Sequence, residues 1–244
     1  MINKCMKILA VISRTQGRNS INLIANSTGI PRSTVHRLLQ MMSDNGMIDA
    51  QRKGGYIISN SLLRLCLEGT GNMDILTPLI PLVDDIRDQT HETVSVNVIN
   101  GMERMCIYRA EGDHQITRMV MIGARSPLFK GAAGRILAAG LKKDMFEQAL
   151  QYSVENGFID AKDENFYRNR AKRDREQGYA VSIQEKYAGC GSIAVPIKRA
   201  INNETIATLS ISSLASRIGE QNTQRKYIEL LLSAAEEANS RFFM

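Results

Sequence analysis

Apolar positions recur at helical spacing through the opening segment of the chain. Residues 3–13 (NKCMKILAVIS) place Met6, Leu9, Ala10 and Ser13 on one stripe, broadened by Ile8 and Ile12, as in an amphipathic helix. Residues 20–27 (SINLIANS) begin with Ser20 as a candidate cap and present Leu23, Ile24 and Ser27. Thr28-Gly29-Ile30 reads as a tight turn. Pro31 suits the first position of a third helix, running to about Asp44, because its missing N–H would be unpaired there. Val35, Leu38, Leu39 and Met42 form the apolar stripe of that helix. The runs Gly46–Ala50 and Tyr56–Ile58 flank Gln51-Arg52-Lys53-Gly54-Gly55, which predicts a β-hairpin with a basic, glycine-bearing tip.

Beyond it the pattern changes. Asn60–Glu68 (NSLLRLCLE) is a short helical stretch, and Gly69-Thr70-Gly71-Asn72 interrupts it, so a domain boundary is expected near residue 71. The predicted division is 1–59, a linker helix and hinge at 60–71, and 72–244. Ile75–Thr90 reads as a helix that tolerates Pro78 and Pro81 only in its early turns. Val94–Ile99 and Arg104–Arg109 around Asn100-Gly101-Met102-Glu103 predict an antiparallel hairpin, and Ile116–Ile122 a third strand. Gly131-Ala132-Ala133-Gly134 opens a helix to about Leu141. Helices near 142–152 and 163–177 follow, the second (DENFYRNRAKRDREQ) expected to face solvent. Gly178–Ile183, Gly191–Ile197 and Thr205–Ser212 are predicted strands, and Gln221–Phe243 a closing helix. The whole reads as α+β in two domains, the second a mostly antiparallel sheet flanked by helices.

Composition changes this picture in one place. The net charge of +6 is confined to residues 1–59, which hold eight basic and two acidic side chains; the remaining residues carry 23 of each sign. A small basic module joined to a neutral one points to a polyanion partner for the first and a separate task for the second. Tryptophan is absent and aromatics are 5%, which disfavours a surface that stacks single-stranded bases. The four cysteines are scattered without a CxxC pair, so neither a disulfide framework nor a zinc site is expected, and a reducing cytoplasm suits them. No stretch reads as a secretory signal or a membrane span, and no cofactor is expected.

The charge location gives the third helix its meaning. Ala25 lies four residues before Gly29 and Val35 six after it. That spacing supplies a small residue at a helix crossing, a turn residue that accepts positive φ, and an aliphatic anchor, the three demands of a helix-turn-helix. With the apolar stripe inward, Ser33, Arg37 and Gln40 face outward, flanked by Arg32, Thr34 and His36, and no acid appears before Asp44. These side chains donate hydrogen bonds to base edges and phosphates, whereas carboxylates would repel them. Arg32, Ser33, Thr34, His36, Arg37 and Gln40 are therefore candidate DNA contacts. The hairpin becomes a wing, with Arg52 and Lys53 placed to reach phosphates.

SINLIANSTGIPRSTVHRLLQMMSDNGMID followed by GGYIIS resembles the winged helix-turn-helix of the IclR family of bacterial transcription regulators. SPLFKGAAGRILAA, GYAVSIQEKYAGCGSIAVPI and IATLSISS resemble later segments of the same family, so the likeness covers nearly the whole chain. Ser182 and Ile183 stand where the family commonly has an acidic residue, and Gly191 where it commonly has an arginine. The resemblance implies a GAF-like domain that binds a small organic or sugar acid or an aromatic metabolite. It places effector contacts on Ala132, Ala133, Glu185, Cys190, Ser210 and Ser212. Free N–H groups at the start of the 131–141 helix would attract a carboxylate, and serine hydroxyls would supply neutral donors. The same residues fit a second reading, with GAAG as close helix packing and Ser210 and Ser212 as outward strand positions.

The function expected is a sequence-specific, effector-controlled DNA-binding regulator, preferably a repressor of a catabolic operon. It would act as a homodimer or dimer of dimers on a palindromic double-stranded operator. An enzyme with a vestigial helix-turn-helix is the rival. Against it, His91 and His114 lack partners at metal or triad spacing, and no GxSxG, HExxH or GKS/T segment occurs. An RNA-binding or nucleoid protein would spread basic residues along the chain and use aromatics for stacking.

Overall fold

In a computed structural model of the chain, all residues are described except 16, 52–53, 63–64, 66–72, 115–120, 200 and 242–244. Two compact units are present, Met1–Met73 and Asp74–Met244.

In the first unit, α1 (Ile2–Thr15), α2 (Ile21–Thr28) and α3 (Arg32–Asp44) precede a hairpin of β1 (Ile48–Ala50) and β2 (Tyr56–Ile58). The core joins Ile8 and Ile12 of α1, Ile24 of α2, Ile30, the four stripe residues of α3 and Ile48. Ser20 caps α2 by accepting from the Leu23 N–H at 3.2 Å. Gly29 ends it in the left-handed region, φ 68° and ψ 16°, donating to the Ala25 carbonyl. Pro31 caps α3 from outside rather than opening its first turn, a shift of one residue. Two expected stripes are rotated. Met6 is 59% exposed and Leu23 39%, and Ala10, Ser13 and Ser27 are not in the core either. The inward positions are Ile8 and Ile12 on α1 and Ile24, with Ala25, on α2. Leu9 of the expected stripe keeps a partly buried place against this core, as do Cys5 and Val11. Residues 60–62 and 65 are helical; the rest of the expected 60–68 helix lies outside the described residues.

In the second unit, α4 (Met73–Thr90) leads into β3 (Thr93–Asn100), β4 (Glu103–Ala110) and β5 (Arg125–Pro127). Helices α5 (Ala132–Gly140), α6 (Lys143–Glu155) and α7 (Glu164–Gln177) follow, with a 3-10 turn at Ala161–Asp163. Then come β6 (Ala180–Ile183), β7 (Cys190–Arg199), β8 (Glu204–Leu214), α8 (Ala215–Gly219) and α9 (Gln221–Arg241). The strands form one antiparallel sheet in the order β5-β4-β3-β8-β7-β6.

The expected third strand at 116–122 falls mostly outside the described residues, and Met121 and Ile122 are not in a strand. The edge strand is Arg125–Pro127, which pairs with Glu103–Met105. It carries no apolar alternation, and Pro127, which has no N–H for a ladder, is tolerated because this is the sheet's edge.

Strand alternation divides the sheet into two unlike faces. Val94, Val96, Val98, Ile193, Val195, Ile197, Leu209 and Ile211 pack with Leu79 and Val83 of α4 and Leu231 and Ala235 of α9. The opposite face carries Ser95, Asn97, Ser182, Thr208, Ser210 and Ser212, all buried, with α5 packed against β7 and β8. Ser210 and Ser212 thus point inward, not to solvent. Gly134 lets α5 lie against the segment that precedes it: a Cβ there would lie 2.2 Å from the Leu128 carbonyl oxygen. Helix α7 is not wholly solvent-facing, since Ala171 and Asp174 are buried.

Candidate functional site

The first candidate site is the outer face of α3. Arg32, Ser33, His36, Arg37 and Gln40 are exposed and Thr34 is half-buried beside them, while Val35, Leu38, Leu39 and Met42 are buried. The opening turn of the helix holds no acid. Asp44 is drawn toward the Gln40 amide, which donates to it at 2.8 Å, and the Arg37 guanidinium lies 3.8 Å from the Met41 sulfur. Five of the six expected contacts on this helix therefore share one solvent-facing surface that is rich in donors. Arg52 and Lys53 lie outside the described residues. The strands that lead to them are anchored: Asn19, buried, donates to the Tyr56 carbonyl at 2.9 Å and accepts from the Tyr56 N–H at 2.8 Å.

The second is a cavity of about 180 Å³ on the polar side of the sheet. Hydroxyls of Ser95, Ser126, Ser182, Ser192, Ser210 and Ser212 line it, with three cations, Arg104, Arg125 and Lys186. Cys106, Cys190, Ala133 and Tyr187 contribute less polar surface, and no carboxylate is among the described lining residues. The floor is internally bonded. Ser95 and Ser210 hydroxyls meet at 3.0 Å, the Asn97 amide donates to both, and Arg104 donates to the Asn97 carbonyl oxygen at 2.7 Å. Burial pushes the Cys106 thiol up to about 11, against a smaller opposing pull from Arg104.

Of the effector contacts expected from sequence, Ala133, Cys190, Ser210 and Ser212 line this cavity. Ala132 and Glu185 are placed elsewhere. Ala132 is fully buried and its N–H donates to the Ser192 hydroxyl at 3.3 Å, so that helix-start donor is already engaged. Glu185 accepts from Arg135 at 2.9 Å and also bonds Arg170. Arg135 in turn clamps Asp174 with two bonds of 2.9 and 2.7 Å and donates to the Val181 carbonyl. Glu185 belongs to the support of the cavity rather than to its lining.

Sequence reasoning missed Arg104, Arg125 and Lys186, as well as Ser95, Ser126, Ser182 and Ser192. One signal was available: alternate strand residues that are small and polar, beside a helix opening with small residues, mark a polar face that a helix covers. His91 and His114, isolated in sequence, meet Asp113 at 3.0 Å and Glu92 at 3.6 Å. Among the described residues no group of three or more His, Cys, Asp or Glu could hold a metal. No helix among them is long and apolar enough to cross a membrane.

Both units have counterparts among known proteins. Residues 2–52 match the IclR helix-turn-helix domain, and residues 68–240 match the C-terminal domain of bacterial IclR transcriptional regulators. The chain is 26% identical over 224 residues to the HTH-type transcriptional regulator XynR of Escherichia coli, covering 90% of this chain and 88% of XynR. It is 27% identical over 226 residues to the HTH-type transcriptional repressor AllR of Salmonella typhi, covering 90% and 81%. Among solved structures, the Thermotoga maritima IclR aligns with a TM-score of 0.76 at 22% identity, covering 99% of this chain and 98% of that one. An IclR homologue from Microbacterium hydrocarbonoxydans, complexed with 4-hydroxybenzoate, aligns with a TM-score of 0.72 at 20% identity, covering 99% and 98%. These relatives are regulators, which decides against the enzyme alternative. The chain belongs to the IclR family of bacterial transcriptional regulators.

Proposed function

We propose that this protein is a transcriptional repressor that binds a palindromic double-stranded operator and is controlled by a small organic or sugar acid. In this proposal residues 1–59 hold the DNA, 60–71 connect, and 72–244 bind the effector and join copies into a dimer or dimer of dimers. Arg32, Ser33, His36, Arg37 and Gln40, flanked by Thr34, meet base edges and phosphates, and Arg52 and Lys53 meet phosphates. A single recognition helix reads few base pairs, so two half-sites are needed for specificity.

The observation that carries effector control is the cavity on the polar side of the sheet, lined by hydroxyls and three cations and without a carboxylate among its described lining. Hydroxyls and cations gathered around one cavity favour a polar, negatively charged guest. The relative solved with 4-hydroxybenzoate is itself a complex with a small acid, and AllR is a repressor by name.

The test is anisotropy binding of the full chain to DNA from upstream of its own and neighbouring genes, with and without a panel of sugar, keto and aromatic acids. One acid should shift the operator affinity and leave random DNA unaffected. A set of acids that bind the protein yet never change its operator affinity would remove effector control from the account.

A further inference from the structure

Resting on the assignment of the serine-lined cavity as the effector site, we propose that Lys186 is the residue that reads the effector's charge, by exchanging Ser126 for the effector's acid group. Lys186 and Ser126 come from opposite edges of the sheet. Ser126 lies on β5, Lys186 follows β6, and β4, β3, β8 and β7 stand between those two strands in the sheet order. The Lys186 ammonium nevertheless donates to the Ser126 hydroxyl at 2.5 Å, and both residues line the cavity. The bond therefore clasps one edge of the curled sheet to the other across the cavity.

The loop that carries Lys186 is fixed from the other side. Its neighbour Glu185 is held by Arg135, a buried residue of the helix that roofs the sheet, and by Arg170. The backbone stays in place while the Lys186 side chain changes partner, with the Tyr187 ring 5.1 Å beneath its ammonium. Ser126 is a neutral acceptor. Replacing it by a carboxylate turns a contact in which only the donor is charged into an ion pair in which both partners are. The other cations are less suited. Arg104 already donates to Asn97 in the floor, and Arg125 is exposed on the edge strand. The start of α5 is less suited too, because the Ala132 N–H is engaged with Ser192.

Glycolate and its neutral isostere glycolamide test the assignment, since they match in size and differ in charge. Binding to the full-length protein is followed by calorimetry and thermal shift at constant ionic strength. Wild type should bind glycolate at least about tenfold more tightly than glycolamide, a gap of the size a single charge-assisted contact provides. Lys186→Met should abolish that gap, Lys186→Arg should restore most of it, and Ser126→Ala should leave it intact or widen it, because the competing partner is gone. Loss of the preference from one end of the bond but not from the other distinguishes charge reading from a structural tie. No preference for glycolate in wild type, or an unchanged preference in Lys186→Met, overturns the proposal. Glycolate binding whose preference depends on Lys186 supports the proposal whether or not operator affinity changes, since that change tests effector control across the panel of acids.

Discussion

Asn19 holds Tyr56 as a neighbouring strand would, accepting from its N–H at 2.8 Å and donating to its carbonyl at 2.9 Å. The same amide donates to the Thr15 hydroxyl at the end of α1. Next to this bridge, Gly55 sits so close to the preceding loop that a Cβ would lie 2.2 Å from the Gly17 carbonyl oxygen. The wing is thus tied to the segment between α1 and α2 and does not hang from its own turn alone. Asn19→Ala leaves the Tyr56 backbone without these partners, and urea melting should show a drop in stability of about 1–3 kcal/mol. With the wing loosened, the slope of log affinity against log salt should shrink by roughly 0.9 for each phosphate that the wing no longer neutralises, while base preference is kept. A variant destabilised to that extent but with an unchanged salt slope would mean that the wing does not touch phosphates.

Arg37 and Arg52 should separate reading from positioning. Arg37 sits on the exposed face of α3, where a bidentate contact to a base is worth about 1–3 kcal/mol of discrimination. Arg37→Ala should lower operator affinity and leave random DNA nearly unaffected. Arg52→Ala should weaken both alike and reduce the salt slope by about 0.9. Competition binding at several salt concentrations measures the two effects, and equal behaviour of the variants would contradict the division of roles.

Arg135 and Asp174 form the most buried ion pair among those described, with side chains 4% and 0% exposed. Removing one partner strands the other charge in the interior, so Arg135→Met should cost about 3–5 kcal/mol in chemical denaturation. Arg135→Met combined with Asp174→Leu should cost less than the sum of the single changes, because the double variant leaves no unpaired charge between the two positions. Strict additivity would show that the pair is not coupled.

Cys106 and Cys190 both line the cavity, and they should differ in reactivity. Burial raises the Cys106 pKa from 9.0 to about 11, so its nucleophilic thiolate is nearly absent at about pH 8. Cys190 is only half-buried. Iodoacetamide at about pH 8, followed by peptide mass spectrometry, should modify Cys190 well before Cys106. The same shift has a sign for stability. Between about pH 9 and 11 the unfolded chain releases the Cys106 proton and the folded one keeps it, so this group lowers stability as pH rises through that window. Faster labelling of Cys106 than of Cys190 would disprove the burial assigned to it.

How much could be read from the sequence followed from how local each feature is. The helix-turn-helix was legible because Ala25, Gly29 and Val35 act on one another across a single turn, and the αL geometry of Gly29 is what that spacing demands. The inward face of α1 was not, because its apolar residues surround much of the helix and only packing chooses Ile8 and Ile12 over Met6 and Ala10. Asp174 lies in a highly charged helix and its partner Arg135 is 39 positions away, so nothing nearby marks it as buried. The cavity was legible only in part. Ser210 and Ser212 stand on one strand, but Lys186 and Ser126 meet only because the sheet brings its opposite edges together.

The most direct measurement is the equilibrium affinity of the full-length protein for the DNA upstream of its own and neighbouring genes, set against a scrambled duplex at the same salt concentration. One of those upstream fragments should bind at least about 10³-fold more tightly than the scrambled duplex. Equal affinity for all of them would contradict the claim that this protein is a sequence-specific regulator.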